Sequence, residues 1–296
     1  MKAINTGIGV AWTRAAGMLY PKEQRLFEDP YSEKLLTPLY KFFIILMRSP
    51  KKRDSIIKSK EKVIPGMIGW FFCRFRYIDD ILKNSIEKKE IKAVINLGSG
   101  MDCRAYYTPG IKDVHYFEVD YPVIIKKKKA KIKKIFGRLP DHVVYVPVDF
   151  EKQNLDTELD KAGYNLNLRT FFILEGVTQY ISEKANDITL KYMAQAAPGS
   201  KIVFTYIIKS FIEGKDIHDG IVNMYKAMCK KNKPLWIFGL DPHDINNFLS
   251  RYSLSLIEDV GSKDLQERYN KLVELDLIKT VNKFDIERFV LAEVKK

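Results

Sequence analysis

"AVINLGSGMDCRAYYTPG", residues 93–110, runs an apolar, strand-like stretch straight into Gly98-Ser99-Gly100 and then into an acid, Asp102. Without side chains at the two glycines, the backbone N–H groups of such a turn can approach a ligand closely. A tight strand-to-helix turn selects the same glycines in proteins that hold no ligand there. The motif therefore gains meaning only from what flanks it.

Outward from this turn, short β-branched or aromatic runs alternate with helical stretches, the pattern of a parallel sheet flanked by helices. The runs are 92–98, 114–120, 143–150, 169–176 and 201–208, with two later ones at 253–261 and 287–295. An α/β, doubly wound fold is expected. Residues 1–90 carry helical apolar spacing punctuated by "YPKE", "EDPY", "RSPKK" and "IPGM", and offer no strand. The segment 209–252 is too long for a simple crossover and reads as helices capping a pocket. The chain is thus read as one domain over 1–296: a helical extension (1–90), a cofactor-binding core (91–208), a helical cap insertion (209–252) and the last strands (253–296).

In an open α/β sheet, ligands lie outside the carboxyl ends of the strands. Here each end has telling chemistry. Glu118-Val119-Asp120 places an acid about 20 residues beyond the glycines, the spacing at which such folds bind ribose hydroxyls. Asp149-Phe150 offers an acceptor and an aromatic face suited to adenine, and the fourth run ends in Glu175-Gly176. Asp120 and Asp149 could each be a helix N-cap. The coincidence of four such ends favours an adenosine-bearing ligand. NAD would ask for a Gly or Ala where Cys103 stands, and Asp102 would repel a pyrophosphate at a helix N-terminus. S-adenosylmethionine, with a sulfonium, an ammonium and no phosphate, fits better.

Composition narrows the setting. The chain has 296 residues, 46% of them hydrophobic, and three widely spaced cysteines with no CxxC pair, so neither a disulfide framework nor a metal site is expected. No signal peptide and no membrane span is read, and a cytoplasmic protein is expected. The formal charge of +13 would suit a polyanion. Its densest run, "KKKKAKIKK" (126–134), carries Ile124, Ile125, Ile132 and Ile135 at helical spacing, so it reads as a helix with a buried face and its lysines in water. A small-molecule acceptor is expected, with neither nucleic acid nor membrane as partner.

The motifs "VINLGSGMDCRAY", "YFEVDYPVIIKKK", "VPVDF" and "FFILEGVTQYIS", in this order and spacing, resemble the leucine carboxyl methyltransferase family and its microbial relatives akin to polyketide O-methyltransferases. The likeness extends to "LFEDPYSEKLL", "RFRYIDDIL" and "FGLDPHDINNFLSRYSLSLIED", and so covers most of the chain. It implies a class I methyltransferase fold, Rossmann-like, of seven strands with the last inserted antiparallel. It also implies S-adenosylmethionine as cofactor. Carried over by position, Gly98 and Gly100 meet its methionine part, Asp120 the ribose, Asp149 and Phe150 the adenine, and Glu175 the methionine end, with the adjoining Ser99 and Tyr121 also read as cofactor-binding. Arg74 takes the cofactor carboxylate, with Arg76 as rival. A lysine that the family uses near its cofactor has no secure counterpart, and Arg14 or Lys22 could replace it.

The expected activity is S-adenosylmethionine-dependent O-methylation of a carboxyl or hydroxyl group on a small molecule. RNA or tRNA methylation and a catalytically silent cofactor-binding module are the alternatives. A carboxylate acceptor is ionised at neutral pH and needs no base, whereas a hydroxyl does. Tyr180 and Tyr206 are read as lining the acceptor pocket, with His218 as a candidate base against a plain surface role. His115 and His142 sit at strand starts, the wrong end. Trp236 and Phe238 are read as core, and Arg104 as an anion clamp or a cap for nearby carbonyls.

Overall fold

The computed structural model describes residues 6–230 and 232–295. Five helices come first: α1 (Thr6–Gly17), α2 (Ser32–Leu35), α3 (Pro38–Met47), α4 (Pro50–Val63) and α5 (Met67–Glu87). Pro38 and Pro50 each open their helix, where the missing N–H has no partner to lose and the fixed φ is already helical. α5 buries Trp70, Phe72, Arg74, Phe75 and Tyr77 and so carries a cation into the interior.

The core then alternates β1 (Ala93–Leu97), α6 (Arg104–Tyr107), β2 (His115–Asp120), α7 (Pro122–Phe136), β3 (Val143–Pro147), α8 (Leu155–Lys161), β4 (Thr170–Leu174), α9 (Glu183–Met193) and β5 (Lys201–Ile207). After these come α10 (Lys209–Ile212), α11 (Val222–Met228), α12 (Ile245–Ser250), β6 (Leu254–Val260), α13 (Ser262–Tyr269) and β7 (Glu287–Val294). The strands lie in the order β3-β2-β1-β4-β5-β7-β6. β7 runs antiparallel between β5 and β6, and the order reverses between β1 and β4, which opens the crevice there. This is the doubly wound, seven-stranded arrangement that the resemblance implies.

β1 and β4 are buried throughout, as central parallel strands covered on both faces must be. Alternation along each strand divides the interior in two. Val94, Phe171, Val203 and Ile207 face the N-terminal helices, while Ile95, Phe172, Phe204 and Tyr206 face the other side with Leu190 of α9 and Phe248 of α12.

One expectation about α7 is corrected. Ile124, Ile125 and Ile132 are buried as the spacing predicts, but Lys128 is buried with them rather than in water. Positions 124, 128 and 132 are four apart and share one stripe of the helix. A lysine at the centre of that stripe points inward and must find a carboxylate.

Candidate functional site

A cavity of about 420 Å³ opens at the carboxyl ends of β1, β2 and β4, within the range of small-molecule sites. Its floor is the glycine turn. Gly98 has φ +71°, and a Cβ there would lie 2.3 Å from Cγ2 of Val177, so this position admits no side chain. The Gly100 N–H donates to Oδ2 of Asp120 (2.6 Å), and the Tyr121 N–H to Oδ1 of the same carboxylate (2.6 Å). Asp120 thereby ties the tip of β2 to the turn after β1. Burial pushes its carboxyl up from the ordinary value, against the opposing pull of these two N–H groups and Lys128. From above, α1 lies over the turn, so close that a Cβ on Gly7 would be 3.6 Å from Cα of Gly100.

Beside the turn stands a buried ionic network. Arg74 donates from Nε to Glu175 Oε1 (2.9 Å) and from Nη1 to both oxygens of Glu287 (3.1 Å each), and the Trp70 indole donates to Glu287 (2.8 Å). Arg104 joins Asp79, Asp102 and, at 2.7 Å, Glu175 Oε2. Arg14 reaches Asp29 (3.4 Å), Asp79 (3.5 Å) and the Tyr107 hydroxyl (2.7 Å). Three guanidiniums thus face five carboxylates, an excess of two acids that suits a cationic ligand and opposes a phosphate. Burial pushes the Glu175 carboxyl up, but Arg104, Arg74 and Arg14 outweigh it and hold it below the usual range. Asp102 lies well below that range for the same reason: burial is overcome chiefly by Arg104, with Arg14 and Lys128 assisting.

Beneath the turn, Lys128 pairs with Glu118 (2.9 Å) and donates to the Ser99 carbonyl (3.3 Å). Tyr106 donates to the same Glu118 oxygen at 2.9 Å. Burial outweighs both partners and pushes the Glu118 carboxyl up to about 7.

The rest of the wall is apolar: Trp12, Phe71, Met224, Met228, Trp236 and Phe284. Among the described residues, the Ser99 hydroxyl, the Gln179 side-chain carbonyl and the indole N–H of Trp12 are buried without a partner, and all three residues line this cavity. Buried polar groups are normally satisfied, so three unmatched ones around one space mark where a ligand's polar atoms belong.

The structure brings Arg74, Gly98, Ser99, Gly100, Asp120, Tyr121, Phe150, Glu175 and Tyr180 to the cavity wall. Arg76 instead pairs with Asp80 and the Leu26 carbonyl. Asp149 is not part of the wall; it accepts from the Glu151 N–H (3.1 Å) and faces Lys152 across its own turn. Tyr206 is also absent from the wall, because its phase on β5 turns it to the opposite face, where its hydroxyl donates to Asp259 (3.1 Å). His218 sits outside the cavity as well, half-exposed and 3.0 Å from Asp285. Of the two candidates for the missing lysine, Arg14 lines the cavity and Lys22 is exposed. Arg104 is neither clamp nor carbonyl cap but the hub of the ionic network. Trp236 is core and wall at once, stacked edge-on to Tyr180 at 6.4 Å, whereas Phe238 packs on the other face of the sheet. Within 209–252, α11 and Trp236 wall the cavity while α12 packs against β6.

Sequence reasoning missed Asp79, Lys128 and Glu287. Lys128 had a signal in its i, i+4 spacing from Ile124; Asp79 and Glu287 had none. No cluster of three or more His, Cys, Asp or Glu able to hold a metal ion occurs among the described residues.

Strand order, the antiparallel β7 and a glycine-and-acid crevice at the switch point together define a class I methyltransferase. Solved structures agree in fold: a Thermobifida fusca protein named as a methyltransferase superposes with a TM-score of 0.57 at 14% identity, covering 90% of this chain and 93% of that one. A DUF574 family protein from Streptomyces avermitilis gives 0.56 at 12% identity, covering 96% and 97%. The leucine carboxyl methyltransferase family model matches residues 7–194, and the chain belongs to that family of S-adenosylmethionine-dependent methyltransferases. Among its relatives, YktD of Bacillus subtilis, which carries the name of an S-adenosyl-L-methionine-dependent methyltransferase, is 28% identical over 214 residues, 71% of this chain and 69% of YktD. A Mycobacterium avium protein with the same kind of name is 25% identical over 208 residues, 69% of this chain and 68% of its own.

Proposed function

We propose that the protein methylates the carboxylate of a small, largely apolar molecule. One observation carries the reading: the cavity beyond the acidic edge is walled by Trp12, Phe71, Met224, Met228, Trp236 and Phe284, and no histidine lines it. A hydroxyl acceptor would need a base, and the phenols of Tyr121 and Tyr180 on the wall are both pushed up by burial, the wrong direction for that work. A carboxylate arrives ionised and needs only removal from water and a cation to orient it. Lys60, at the cavity rim 4.7 Å over the Trp12 ring, is such a cation.

When bound, S-adenosylmethionine supplies a methyl group on a positively charged sulfur. On this reading Gly98, Ser99 and Gly100 present backbone to its amino-acid part, Asp120 accepts from the ribose and Phe150 covers the adenine. Glu175 faces its ammonium, and Arg74, whose Nε and Nη1 are committed to Glu175 and Glu287, offers Nη2 to its carboxylate. The apolar wall strips water from the acceptor, and the chain's main contribution is alignment. The three free thiols, Cys73, Cys103 and Cys229, suit work in a reducing cytoplasm.

The test uses a tritiated methyl donor with apolar carboxylic acids, phenols and bulk RNA offered in parallel. Label recovered as volatile methanol after mild alkali supports a methyl ester. Alkali-stable label on a phenol, or transfer to RNA alone, overturns the proposal.

A further inference from the structure

α3 (Pro38–Met47) is apolar but for Lys41, yet only its inner face is covered. Ile44 and Met47 are buried and Tyr40 reaches the cavity wall, while Leu39, Phe42, Phe43 and Ile45 stand 64%, 55%, 41% and 55% exposed. Leu39, Phe42 and Phe43 follow i, i+3, i+4 spacing, which gathers them on one outer face. Four large apolar side chains bare on one helix form the kind of contiguous patch that marks an interaction site.

The surrounding charge identifies the partner. Residues 36–53 contain Lys41, Arg48, Lys51, Lys52 and Arg53 and no acid. From α7, Lys131 donates to the Leu36 carbonyl (3.2 Å), with Lys134 exposed beside it. Burial, then the like charges of Lys41 and Lys134, holds the Lys131 amine below its ordinary value. Two acids pair into this region, Glu33 with Arg48 at 3.0 Å and Asp54 with the largely covered Arg53 at 2.9 Å, which leaves Lys41, Lys51 and Lys52 as its cations without a salt bridge among the described residues. Apolar side chains ringed by cations match a surface that is anionic outside and hydrocarbon within.

We propose that the outer face of α3 docks the protein on an anionic lipid bilayer, with Leu39, Phe42, Phe43 and Ile45 entering the acyl boundary and the flanking lysines and arginines meeting the headgroups. No described helix is long and apolar enough to cross a membrane, so the contact is interfacial. This departs from the sequence expectation of no membrane partner, which rested on the lack of a spanning run and on reading the lysine run 126–134 as the wet side of a helix. A second copy fits less well, since a two-fold contact would set the same cations against themselves. RNA fits less well too, because bases stack on rings and gain little from Leu39 or Ile45. This inference does not depend on the carboxylate reading.

The test is flotation of the whole chain with phosphatidylcholine vesicles, alone or with roughly one-third phosphatidylglycerol, at physiological salt. Binding to the anionic vesicles about tenfold tighter than to the neutral ones supports the proposal, as does a similar loss for the double variant Phe42→Glu/Phe43→Glu or for Lys51→Glu/Lys52→Glu. S-adenosylhomocysteine affinity measured on the same variants shows that the fold is kept. Should the glutamate pair fail to fold, Phe42→Trp reports directly, since its emission shifts to the blue on entering the acyl region. Absence of binding, binding indifferent to Phe42 and Phe43, a dimer in light scattering that the double variant dissolves, or retention on polyuridylate that it abolishes would each overturn the proposal.

Discussion

Lys128 Nζ lies 2.9 Å from Glu118 Oε1, with both side chains out of water and the Ser99 carbonyl also on the lysine. A buried ion pair is a poor source of net stability, because desolvating two ions offsets most of their attraction. Its value here is position: it holds the underside of the glycine turn. It also gives the protein a titration near neutrality.

Glu118 titrates near 7 in the folded chain against about 4.3 when unfolded. A carboxyl whose folded value is raised contributes stability that is complete below the unfolded value and is lost as pH climbs through the folded one. The window is therefore about pH 4.5–7, with a swing on the order of 3 kcal/mol. Melting temperatures of the wild type and Glu118→Gln across this window check it. The wild type's advantage should shrink as pH rises, and a gap that stays constant refutes the assignment.

Gly98→Ala should destabilise by about 1–3 kcal/mol from its positive φ alone, with a further loss from Val177. Adding Val177→Ala removes the 2.3 Å encounter but not the backbone strain. Urea titration of the double variant should recover part of the loss. No recovery would mean that the turn relaxes in some other way.

Asp120→Asn keeps the shape of the side chain but removes the charge that accepts from Gly100 and Tyr121. Hydrogen bonds to a charged group contribute about 1.5–3 kcal/mol, so S-adenosylhomocysteine affinity should fall roughly ten- to a hundredfold by calorimetry. Unaltered affinity would remove Asp120 from the site.

Arg104→Met strands Asp79, Asp102 and Glu175 together in the interior. Removing one side of a buried pair costs about 3–5 kcal/mol, and the loss should ease at acid pH as these carboxylates protonate. Equilibrium unfolding at two pH values measures it; a cost that does not change with pH would show that packing rather than charge was lost.

Trp236→Ala should raise KM for an apolar acceptor about tenfold, the effect of losing one buried aromatic contact, while leaving cofactor affinity within about twofold. A fall in cofactor affinity instead would place the indole against the donor.

The strand tips were legible because their signals are local: β-branched runs, glycines and acids adjacent in the chain. The sheet's two faces were not legible, because strands buried on both sides show no polar alternation, and Tyr206, in phase with Phe204, turns away from the cavity. The ionic network was not legible. Arg74 and Glu287 are 213 residues apart, and nothing near either one names the other. Lys128 was half legible: its spacing from Ile124 was plain, but the run of lysines around it hid the one that turns inward.

Glu287 opens β7, the strand laid last between β5 and β6, yet it completes a contact with Trp70 and Arg74 on α5. During synthesis, α5 leaves the ribosome more than 200 residues before its partner, an interval on the order of 10–40 s at ordinary elongation rates. Glu175 follows Arg74 by 101 residues, and from then until Glu287 emerges it is the one of these two carboxylates that Arg74 can meet. A chain stopped short of β7 therefore leaves Arg74 without its second carboxylate and the cavity without one of its acids.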